Sequence, residues 1–110
     1  MANVIKLVRG DSRPSLVITL TEQTTGSPIN LTGTSVVLKF REQGVDVLKG
    51  EVPGSVVDPT SGVCVFHWSL VPGILDGEPG NYEGEVEINY ADGTTQTVYG
   101  TLYFYLRDQF

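Results

Sequence analysis

Three carboxylates at two-residue spacing, one histidine and one cysteine are the residues of this 110-residue chain on which chemistry would draw. Glu83, Glu85 and Glu87 alternate with Tyr82, Gly84, Val86 and Ile88. On a strand that spacing puts all three carboxylates on one face, where they would attract a basic partner or a cation. Residues two apart lie ~7 Å from one another, too far to chelate one calcium ion without oxygen ligands from loops. Asp76-Gly77-Glu78 lacks the alternating ligand pattern of an EF-hand loop. With one cysteine, Cys64, and one histidine, His67, the usual structural zinc sets are excluded. Three apart on a strand, these two side chains point to opposite faces and form no dyad. A base-assisted nucleophile needs a base and an orienting acid converging in a cleft, and no such set is visible. The residues indicate a protein that is not an enzyme and has no metal, cofactor or small-molecule substrate.

Two short motifs carry little. Arg9-Gly10-Asp11 spells an integrin-recognition tripeptide, but Gly10, Asp11 and the nearby Pro14 are equally the makings of a turn. Asn30-Leu31-Thr32 matches a glycosylation acceptor, with no secretion signal to give it meaning.

The elements that position these residues are strands. Hydrophobic residues are 40% and charged residues 18% of the chain, which excludes a disordered tail. Thirteen glycines and six prolines without a fixed period indicate many turns. Alternation predicts strands at Val4–Val8, Leu16–Leu20, Thr34–Arg41, Ser55–Asp58, Val63–Leu70, Gly80–Tyr90 and Thr94–Leu106. Gln43–Pro53 is ambiguous, with a short hairpin around Val45–Leu48 as one reading, and Val71–Glu78 has room for one helical turn. Seven or eight short strands and no disulfide point to an all-β, two-sheet sandwich occupying residues 1–110 as one domain. No apolar run approaches the ~20 residues of a membrane helix, and the N-terminus does not read as a signal peptide.

The last hairpin has a derivable register. With Ala91-Asp92-Gly93 as a three-residue loop and Gly93 left-handed, Tyr90 pairs with Thr94. Counting outward sets Val86 opposite Val98, Tyr82 opposite Leu102, and Gly84 opposite Gly100. The facing glycines would leave a hollow for a large ring, Trp68 first and Phe66 second. On the outer face Glu85 would sit beside Tyr99 and Glu83 beside Thr101, with Tyr99, Tyr103 and Tyr105 forming a stripe. Either this is an ordinary half-covered sheet face or it is buried against another protein.

The net charge of −6 is divided unevenly. Residues 1–50 hold six of the seven basic residues, whereas Glu51–Leu106 contains eight carboxylates and no Lys or Arg. An acidic half argues against nucleic acid as a partner. It serves solubility, or it meets a basic partner surface such as the basic half of a neighbouring copy.

Tyr82 enters its strand after Glu78-Pro79-Gly80-Asn81, the pattern of a tyrosine corner in immunoglobulin-like sandwiches. Arg9-Gly10-Asp11-Ser12 with Pro14, Pro28-Ile29-Asn30-Leu31-Thr32-Gly33, Asp58 to Gly62-Val63, Gly80-Asn81-Tyr82-Glu83-Gly84-Glu85-Val86 and Asp92-Gly93 together resemble one family. It is the immunoglobulin-like N-terminal domain of phage baseplate upper proteins and related tailed-phage virion proteins. The resemblance implies an immunoglobulin-like β-sandwich and a structural virion component, made in the host cytoplasm and assembled with other virion proteins and copies of itself. In that family a fibre or receptor-binding part usually follows. Here the sequence stops soon after the final strand, so the expectation is the adaptor or decoration module alone, with attachment to tail or capsid left open by that ending and the tail or baseplate taken as the first reading. A capsid decoration protein and a carbohydrate-binding module are the alternatives. The expected protein interface is Glu83, Glu85, Glu87, Tyr99, Tyr103 and Tyr105.

Overall fold

The computed structural model describes residues 4–98 and 100–110. Among the described residues eight strands form where side chains alternate: β1 Val4–Val8, β2 Leu16–Thr19, β3 Ser35–Glu42, β4 Gly50–Asp58, β5 Val63–Phe66, β6 Gly80–Asn89, β7 Thr95–Thr97 and β8 Leu102–Arg107. They are hydrogen-bonded in the order β1-β8-β6-β3-β4-β5-β2, with β7 beside β6. β1 runs parallel to β8 and every other pair is antiparallel. The result is a curled mixed sheet, a half-barrel around one core, where two separate stacked sheets were expected.

β4 makes the curl. Gly50–Pro53 pair with β3, and Gly54–Asp58 pair with β5. The change of partner falls at Pro53-Gly54, where proline gives up a ladder donor and glycine gives up a side chain. A Cβ on Gly54 would lie 2.5 Å from the Phe66 ring and 2.7 Å from Val36, so the two halves close together there because nothing projects between them. The first half of β4 thus lies in the stretch Gln43–Pro53 that the sequence leaves ambiguous. Val45–Leu48, the suggested hairpin, belongs to the loop before β4.

The inner face is apolar throughout. Leu38, Phe40, Val52, Cys64, Phe66, Ile88 and Leu106 are fully buried, and side chains of this kind contribute about 1.5–3 kcal/mol each on burial. Phe40 is the hub: its ring stacks on Tyr82 at 5.1 Å and meets Phe104 at 5.2 Å and Trp68 at 5.4 Å edge-on. Burial pushes the Cys64 thiol up to about 11. The strand expected over Val63–Leu70 ends at Phe66, and Trp68–Leu70 forms a 3₁₀ turn that swings the Trp68 ring into the core. The helical turn expected within Val71–Glu78 lies instead at this earlier position.

The hairpin register is correct near its turn. The Tyr90 N–H donates to Thr94 at 2.8 Å, the Gly93 N–H donates to Tyr90 at 3.0 Å, and Gly93 has φ +90°. Glu87 faces Thr97, and the Val98 N–H donates to Val86. Beyond Val98 the pairing moves by two residues: Gly84 faces Leu102 and Tyr82 faces Phe104. Two extra residues are therefore accommodated between β7 and β8. An even shift keeps each side chain on its own face, so the apolar pattern survives it. The Gly84/Gly100 hollow does not form. Gly84 lies under Leu38 and Phe104, within about 3 Å of any added Cβ, while the space around Gly100 is open. Phe104 fills the place assigned to Trp68 or Phe66.

The Tyr82 hydroxyl donates to the Glu78 carbonyl at 2.7 Å, the bond expected of a tyrosine corner. Burial raises its pKa, with the Glu42 and Glu78 carboxylates adding to the effect. Gly77 is needed beside it, since a Cβ there would fall 2.5 Å from the hydroxyl.

Candidate interaction surface

Strand alternation carries Glu83, Glu85 and Glu87 to the outer face of β6, as their spacing requires. β3 lies alongside in antiparallel register, Lys39 opposite Glu85 and Arg41 opposite Glu83. Its outward residues are basic where those of β6 are acidic. Arg41 Nη2 and Nε donate to one oxygen, Glu83 Oε1, at 2.8 and 2.9 Å. Lys39 Nζ reaches diagonally to Glu87 Oε2 at 2.9 Å. The hydrogen bond and charge of Glu87 raise the Lys39 pKa, and Glu51 and Glu85 add to the shift. Charge complementarity between the basic and acidic halves of the sequence is thus met, for these four residues, inside a single chain. Among the described residues Glu85 has no ion pair and stays exposed.

On the other side of β6, Tyr103 of β8 faces Glu83, and Tyr105 faces Asn81. The two-residue shift thus places Tyr103, not Thr101, beside Glu83. Tyr103 is half-buried and Tyr105 is 46% exposed. Val4 and Lys6 of β1 lie beyond them, opposite Tyr103 and Tyr105. Tyr99 lies outside the described residues. A shallow concavity of about 130 Å³ is enclosed by Lys39, Arg41, Leu48, Glu83, Gly84, Glu85 and Thr101. The face can offer a partner two phenol rings, one free carboxylate and a set of prearranged ion pairs.

The far wing of the sheet presents a different surface. The outward residues of β4, β5 and β2 form a row of Ser55, Val65 and Val17, with Val57, Val63 and Thr19 next to it. Val17 is 65% and Val57 61% exposed. Alternation from Ser55 puts Val57 outward, and a bulge between Val56 and Asp58 brings Asp58 opposite Val63 at the end of the row. His67 continues the β5 strand direction on this side, with Cys64 buried on the other.

Lys39 and Arg41 were missed as members of the surface although their alternation was plain. The signal was two outward-facing runs of opposite charge, but only the non-local β3–β6 pairing brings them together.

No family model matches the chain, and no curated protein matches it. Among solved structures it is similar to the N-terminal domain of phage TP901-1 ORF48, with a TM-score of 0.61 and 16% identity over 98% of this chain and 86% of that one. At this identity the likeness is one of fold.

Proposed function

We propose that this protein is a non-enzymatic structural module of a phage virion, an adaptor of the tail or baseplate, that docks through the outer face of β6 and β8. The observation that carries the reading is the likeness of nearly the whole curled sheet to a domain of a phage protein. The surface supports it. Tyr103 and Tyr105 offer rigid amphipathic rings on the same outer face as Glu85, a combination suited to a protein partner with a basic rim. The ion pairs of Glu83 and Glu87 hold the rest of the face in one conformation, which lowers the ordering cost of binding. The bond from Tyr82 to Glu78 also supports kinship with immunoglobulin-like domains, within a sheet that curls instead of splitting.

In the test, Tyr103→Ala combined with Tyr105→Ala leaves the monomer folded by circular dichroism and removes it from purified particles. Incorporation at the normal level would overturn the proposed face.

A further inference from the structure

The antiparallel register of β2 and β5 ends at Leu16 opposite Phe66. The next rung places Ser15 across from His67, and there Ser15 Oγ lies 2.6 Å from His67 Nδ1. The turn before β2 and the 3₁₀ turn after β5 complete a concavity of about 430 Å³, lined by Ser12, Arg13, Pro14, Ser15, His67 and Ser69. In a chain of net charge −6 this lining contains no carboxylate. It holds a guanidinium, an imidazole and three hydroxyls. Arg13 has no ion pair among the described residues. The nearest acidic residue in sequence, Asp11, has an oxygen engaged by Gln109 Nε2 at 3.2 Å.

We propose that this concavity is an oxyanion site, taking a phosphate or a phosphate-like group. Arg13 supplies the fixed charge and a fork of N–H donors matched to such a group. The imidazolium form of His67 donates its Nδ1–H to Ser15 Oγ. The Ser15 hydroxyl hydrogen is then free to donate to the anion, and Nε2–H is a second donor. No carboxylate among the lining residues orients the ring, so the pair lacks the third member that would make Ser15 a base-assisted nucleophile. Binding is the role this geometry carries.

His67 is the only histidine, so its ring protons report the site without overlap. Inorganic phosphate titrated against chloride at constant pH and ionic strength should move the His67 ring signals saturably. Arg13→Ala should weaken the affinity roughly tenfold or more, the scale of a lost charge-assisted contact, and Ser15→Ala should weaken it less. Lys39→Ala, on the opposite wing, should leave it unchanged. O-phosphoserine binding more tightly than phosphate would show a group carried on a larger molecule, and the reverse order would show the free ion. The absence of a saturable shift, or an equal shift in Arg13→Ala with its amide spectrum intact, would overturn the site.

Discussion

The two outer wings of the curled sheet share a core and differ in chemistry. On β3, β6 and β8 the outward side chains are largely charged or phenolic, and four of the charges are already committed: Arg41 to Glu83, Lys39 to Glu87. On β4, β5 and β2 the outward row is mostly valine, serine and threonine, closed at one end by Asp58 opposite Val63, and these three strands carry no Lys or Arg. The face richest in charge is therefore neither the most open nor the most reactive. Its acids act as internal struts. On the proposed docking face, Glu85, Tyr103 and Tyr105 stay outside these pairs.

The largest expected effect comes from the strand shared by both wings. Gly54→Ala places a methyl group against Phe66 and Val36. It should cost about 1–3 kcal/mol in chemical denaturation, the scale of overpacking, and should weaken amide protection in β3 and β5 together. Protection lost on one wing alone would mean that the wings fold as separate units.

Arg41→Ala tests the struts. It should lower stability by about 0.2–1 kcal/mol, because the pair is partly solvated, and the loss should shrink with added salt. The matching test on the other wing is Val17→Thr, which removes no buried contact and should change stability by less than about 0.5 kcal/mol. A larger loss there would show the valine row to be covered.

Lys39 adds a pH signature. Its folded pKa lies above its ordinary value, so the stabilisation is complete below the usual lysine range and is lost as pH rises through the raised value. Lys39→Met should give a shallower alkaline fall in stability than the wild type, measured by thermal melts across that range. An identical fall in both would sever the link to Glu87.

Local rules made part of this legible in the sequence. Ala91-Asp92-Gly93 specified its own turn, because Gly93 supplies the positive φ and Asp92 Oδ1 accepts from Thr94 N–H at 2.9 Å. The register followed from it until Val98. It then failed at the two extra residues, which an even shift hides from any reading of polarity. Tyr82 announced its bond to Glu78 through the loop before it. The strand β4 was half hidden, since Pro53-Gly54 is a break signal in sequence and a corner in the fold. Pairings across long separations, Arg41 with Glu83 and Ser15 with His67, had no local signal. They depend on which strands the curl brings side by side.

The claim that this is a virion module of the tail is tested most directly by its position on intact particles. A gold or antibody label directed at the protein, viewed by electron microscopy on purified phage, should mark the distal end of the tail. A label confined to the head, or particles that lack the protein, would contradict the account.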